Sequence, residues 1–182
     1  MKKNFSTKMM VFAAICIAVN IILGTVVGAL NIPLLFLDTV GTIFAAVTLG
    51  PLYGAAVGGL TNVIQGFISG PKIIPFALVN IAIGLVVGWI AGKRKFSIPV
   101  AVITGLILSV VAPLIGTPIA IFAFDGITGD FNDVFFTVMK NAGSSIFSAA
   151  FIPRVASNIV DKVISCVLVS IIAAKTRIRF DR

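Results

Sequence analysis

The sequence has no histidine and no glutamate, and its six acids are all aspartates, dispersed along the chain. These absences exclude an imidazole base, an H-E-x-x-H zinc site and a paired-glutamate acid–base constellation. An intramembrane hydrolase is therefore not expected, and neither is a resident metal or cofactor. No Gly-Lys-Ser/Thr follows a glycine loop, so any ATP used in this protein's work is bound by another subunit. The two cysteines, Cys16 and Cys166, both sit in apolar runs and read as small buried hydrophobes without a redox role.

Charge is scarce as well. Charged residues make up 11% of the 182 positions and hydrophobic ones 59%, with a mean hydropathy of +1.16; a soluble globular chain is roughly 45–50% apolar. The chain is thus expected to be an all-α, polytopic membrane protein, because a lipid-exposed backbone must satisfy its own hydrogen bonds. At about 20 apolar residues per crossing, its length suits about six spans in one domain, residues 1–182. The net charge of +8 does not indicate nucleic acid, since the basic residues are scattered at span ends without interleaved aromatics.

The spans are expected at about 7–24, 38–50, 54–68, 74–92, 98–118 and 153–175. The opening MKKNFSTKMMVFAAICIAVNIILG has the basic front of a signal peptide. Its apolar run is long and lacks a small-residue cleavage site, so it reads as a retained first helix. Gly28, Asn31 and Pro33 break the helix pattern after the first span, and Asp38 or Thr39 is placed to cap the second. Gly84, Gly88 and Gly92 recur every fourth residue of the fourth span, a packing face. Pro113 and Pro118 mark the end of the fifth span, and a short surface helix is expected at about 131–141. With both termini on one side, that side receives ten of the fourteen Lys and Arg residues, which predicts cytoplasmic termini.

Polar side chains at membrane depth are costly and therefore informative. Asn62 and Gln65 share a face of the third span and Asn80 lies in the fourth. Each amide reads equally as a hydrogen bond between helices or as a ligand contact. Arg154, Asn158, Asp161 and Lys162 follow a three-to-four spacing on the last span. Four polar groups exceed one salt bridge, so a ligand role is favoured, with an internal Asp161 pair to Lys162 or Arg154 as the alternative. Asn31, Lys72, Asn80 and Arg154 are candidate solute contacts by depth and polarity, and Phe36 and Phe76 are candidate aromatic faces. The segment from Gly24 to Asp38 is long for a connector and reads as a lid over a small ligand.

In the first span Ala14 and Ala18 lie four apart and leave a smooth stripe in FAAICIAVN. That stripe, the basic start leading into AAICIA, LGPLYGAAVGGLTNVIQG across the second and third spans, and NIVDKVISCVLV in the last together resemble the substrate-binding S components of energy-coupling factor (ECF) transporters. The resemblance covers nearly the whole chain. It implies docking of Ala14 and Ala18 on a coupling transmembrane subunit, which works with two ATPase subunits in the cell membrane. It also implies a pocket roofed by the first and third outer loops and walled by spans four to six. Asn158 and Lys162 loosely match an Asn and a nearby Lys that contact ligand in related S components. The amides, cations and rings suit a heterocyclic solute of vitamin, nucleobase or nucleoside type, with or without a carboxylate or phosphate. The His-bearing N-terminus of the cobalt and nickel S components is missing. An internal helix contact is the other reading of the alanine stripe. The competing function is a stand-alone secondary transporter or channel, and a scaffold that binds no solute ranks last.

Overall fold

The computed structural model describes residues 7–30 and 32–176, which form seven α-helices and no strand. Helix α1, Thr7–Ala29, is apolar around its whole circumference and buries only Cys16, Asn20 and Val27. A helix of that kind suits a lipid boundary. It runs past the expected end near residue 24, because Gly24 and Gly28 each weaken a helix by only about 1 kcal/mol. The segment expected to be a lid from Gly24 therefore shrinks, among the described residues, to Leu30 and 32–39.

Helix α2, Val40–Leu49, has 10 residues, about 15 Å of rise against about 30 Å of hydrocarbon. It can be this short because eight of its residues are buried in protein instead of facing lipid. Thr39 occupies its N-cap position without a side-chain capping bond, so neither Asp38 nor Thr39 caps it in the expected manner. Gly50, at φ 98°, turns the chain directly into α3, Pro51–Ser69, with proline in the first turn.

A 3-10 turn over Pro71–Phe76 leads into α4, Ala77–Lys93, which returns along α3. A Cβ on Gly84 would lie 2.3 Å from the carbonyl carbon of Gly54, and one on Gly88 would lie 2.3 Å from Cα of Pro51. These two glycines let the backbones touch. Gly92 meets nothing within 4 Å and does not belong to the packing face expected of it.

Helix α5, Ile98–Phe124, continues through Pro113 and Pro118 instead of stopping near residue 118. Neighbouring helices can absorb the missing N–H of a proline inside a membrane bundle. It ends at Asp125, φ 53°, where the amides of Asp125 and Gly126 bond back to Ile121 and Ala120. Helix α6, Asn132–Asn141, matches the expected surface helix. Helix α7, Ile146–Thr176, has 31 residues and starts well before residue 153, with Pro153 inside it. Ser145 opens it by accepting the amide of Ser148 at 3.2 Å, a capping bond hidden in sequence by the polar run around it.

The core joins Ile43 and Ala46 of α2, Ile83 and Val87 of α4, Leu108 and Ala112 of α5, and Cys166 and Val169 of α7. Both cysteines are free and buried. Among the described residues, four helices are long and apolar enough to cross a membrane: α1, the unit Pro71–Lys93, α5 and α7. The ends of α1 and α5 and the start of α7 lie at one end of the bundle. Lys8, Lys93 and Lys175 lie at the other.

Candidate functional site

Asn20 is fully buried and ties three helices together. Its Nδ2 donates to Thr42 Oγ1 at 2.9 Å and Thr61 Oγ1 at 3.0 Å, and its Oδ1 accepts the amides of Gly41 at 2.7 Å and Thr42 at 3.3 Å. All of this amide's capacity is used between α1, α2 and α3. Sequence reasoning did not single it out, although an Asn in the middle of an apolar span was the available signal.

Toward the end of the bundle that holds residues 32–39, the helices part around a cavity of about 370 Å³. One wall is an amide relay. Asn62 Nδ2 donates to the carbonyl of Ile73 at 3.2 Å, and Asn80 Nδ2 donates to Asn62 Oδ1. Both residues line the cavity. The amides are therefore helix glue and cavity lining together, where the sequence left those readings even. Asn80 Oδ1 is buried and accepts no hydrogen bond.

The second wall is the segment 32–39, represented in the cavity by Phe36, Asp38 and Thr39. Leu34 and Leu37 in it have positive φ, 61° and 53°, a conformation unfavourable for leucine. The strain is held by Asp161, whose Oδ1 accepts the amides of Phe36 and Leu37, both at 2.8 Å. Its Oδ2 pairs with Lys162 Nζ at 2.6 Å. Lys162 also reaches Thr39 Oγ1 at 3.1 Å and Asp38 Oδ1 at 3.5 Å, so its three donors are all engaged. Asp161 pairs with Lys162 and not with Arg154. It is absent from the cavity lining, and its hydrogen bonds fasten the segment to α7.

The third wall comes from α5, the loop after it and the first half of α7. Arg154 donates to the carbonyls of Ala150 at 2.9 Å and Gly126 at 3.1 Å and to Thr128 Oγ1 at 3.0 Å. These bonds pull the loop over the cavity mouth, where Thr128, Asp130 and Asn132 join the lining. Asn158 Nδ2 donates to the Arg154 carbonyl at 2.8 Å. Asn132 Oδ1 is buried without a partner. Phe76 lines the cavity, and its ring stacks on Phe124 with centroids 6.1 Å apart.

Of the expected solute contacts, the structure thus brings Phe36, Phe76, Asn80, Arg154, Asn158 and Lys162 to one cavity. Lys72 is not among them: it is exposed, with its ammonium 5.8 Å from the Phe124 ring. Asn31 lies outside the described residues. Asp38, Thr39, Asn62, Gln65, Thr128, Asp130 and Asn132 were not named as contacts and line the cavity too. Gln65 and Asn62 carried the signal of amides at membrane depth. Asp130 and Asn132 gave none, because a polar loop does not reveal in sequence that it folds back over the bundle.

A bundle of mostly apolar helices with an internal polar cavity at one end defines a membrane protein built to hold a small solute. The family described as ECF transporter, substrate-specific component, matches residues 8–173, and the chain belongs to it. Members of this family are transporter subunits and not enzymes. Comparison with curated proteins and with solved structures returned no match.

Proposed function

We propose that this chain captures a small heterocyclic solute of vitamin, nucleobase or nucleoside type from outside the cell and holds it in the cavity described above. A coupling transmembrane subunit with two ATPase subunits then moves the solute inward. The observation that carries this reading is the cavity itself: about 370 Å³, near the lower end of the usual range for small-molecule sites. Its lining mixes amides with the rings of Phe36 and Phe76. Planar rings and amides recognise the faces and edges of a heterocycle.

In this reading the cavity end faces outward. The end with Lys8, Lys93, Arg94, Lys95 and Lys175 faces the cytoplasm, in keeping with the positive-inside rule. Ala14 and Ala18 are both exposed on α1, and they form the seam to which the coupling subunit docks. A stand-alone secondary transporter would need an acid at midplane free to bind a coupling ion. Asp161 is the acid that lies within a long helix, and its two oxygens are engaged by Phe36, Leu37 and Lys162.

Gly116 supplies the test. It lines the cavity, and a Cβ there would sit 3.5 Å from Val79 in ordinary contact. Gly116→Leu is therefore expected to fold and to plug the site. Protein purified gently from membranes and extracted with solvent should release a heterocyclic solute in near-stoichiometric amount by mass spectrometry, and the variant about tenfold less. No solute from the wild type, or equal release from both, contradicts solute capture.

A further inference from the structure

Resting on the reading of the cavity as the solute site, we infer that it binds its solute through the solute's own hydrogen-bond donors, and that the solute is neutral or cationic, with no carboxylate or phosphate. The inference comes from which polar atoms are left over once the internal bonds are made. The orientation of the Asn80 amide is dictated by a chain of neighbours. The carbonyl of Ile73 requires a donor, so Asn62 turns its Nδ2 toward it and its Oδ1 toward Asn80. Asn80 must then present its nitrogen to Asn62, which leaves its oxygen without a partner. Asn80 is 3% exposed. A buried carbonyl oxygen with no donor costs about 1–3 kcal/mol, a cost that a ligand N–H or O–H removes.

The same logic holds across the cavity. The Arg154 carbonyl takes the nitrogen of Asn158, so the oxygen of that amide is the atom left over. Asn132, 2% exposed, carries a second buried oxygen with no partner. Asp38 and Asp130 add carboxylates to the lining.

The cations offer little counterweight. Lys162, a ligand contact that the family resemblance implies, has its three donors taken by Asp161, Asp38 and Thr39. Arg154 gives three of its five N–H donors to the protein, and Asp130 and Asp133 lie near enough to offset its charge. A phosphate or carboxylate entering here would meet unpartnered oxygens and the carboxylates of Asp38 and Asp130, with no free ammonium and only the two remaining N–H groups of Arg154 to receive it.

The test uses matched probes and purified full-length protein in detergent: nicotinamide and nicotinate, cytidine and its 5′-monophosphate, adenosine and its 5′-monophosphate, pyridoxine and its 5′-phosphate. Thermal unfolding is followed with each probe, and native mass spectrometry identifies any solute retained from the membrane. A shift with an uncharged member and none with its anionic counterpart supports the inference, as does a retained neutral or cationic solute with at least two donors. Asn132→Ala should then weaken binding of that compound about tenfold, while ligand-free stability stays level or rises, because the variant removes an unpaired buried acceptor. A greater shift with an anionic member, a retained anionic solute, or an Asn132→Ala variant that is less stable yet binds normally overturns the inference and leaves solute capture standing. No shift and no retained solute overturns solute capture itself.

Discussion

Asp161 shows how one side chain can serve the fold and the site together. It accepts two amides from a strained loop and neutralises a buried lysine on its own helix. Removing one member of a buried ion pair costs about 3–5 kcal/mol, because the partner charge is left uncompensated. Asp161→Ala is accordingly expected to lower stability by about 3–5 kcal/mol and to abolish solute retention, both readable from thermal unfolding and mass spectrometry of purified protein. The double variant Asp161→Asn with Lys162→Met removes both charges and should recover part of the stability without the retention. Equal loss in the single and double variants would show that the charge pair is not what matters. The spacing of Arg154, Asn158, Asp161 and Lys162 made this helix face legible as important. That Asp161 holds residues 36 and 37 was not legible, since a contact across 124 or 125 positions leaves no mark in local sequence. The same limit hid Asp130 and Asn132.

Among the elements, α3 and α4 are packed backbone to backbone, and their glycines divide by depth. Gly84→Val places branched carbons where Gly54 already sits and is expected to destabilise the protein by several kcal/mol, within the upper range for overpacking. Gly92→Val enters open space and should lie within about 0.5 kcal/mol of wild type. Chemical or thermal unfolding of the two variants side by side checks the difference, and equal effects would contradict the packing described. The four-residue spacing of glycines was readable in sequence, but the point at which the face ends was not, because it depends on where the neighbouring helix stops. Helix ends in general were misjudged for identifiable reasons. Gly24 and Gly28 do not break α1, the prolines of α5 are carried within the helix, and a serine cap starts α7 inside a polar run. The brevity of α2, by contrast, was visible in the sequence, and its burial in protein explains it. At the far end of α4, Lys93 Nζ lies 3.8 Å from the ring centroid of the exposed Trp89, an arrangement suited to the membrane–water boundary.

For the whole molecule, the proposed function separates capture from propulsion. Composition and hydropathy were enough to read an all-helical membrane protein, and the motifs were enough to point to its family. The family resemblance implied a pocket under the first and third outer loops, but the share that Gly24 of α1 and Asn62 and Gln65 of α3 take in its lining could not be read without the structure. The separation makes a direct demand on α1. Ala14→Trp with Ala18→Trp places bulk on an exposed face and leaves the cavity untouched, so solute retention should survive while co-purification with the coupling subunit is lost. Retention and co-purification both unchanged would place the docking surface elsewhere.

The most direct measurement is uptake into proteoliposomes of the labelled solute that co-purifies with the protein, comparing this chain alone with the chain joined to its coupling subunit and two ATPases. The account predicts ATP-dependent accumulation in the assembled complex and binding without accumulation by the isolated chain. Accumulation by the isolated chain, driven by an ion gradient and indifferent to ATP, would contradict it.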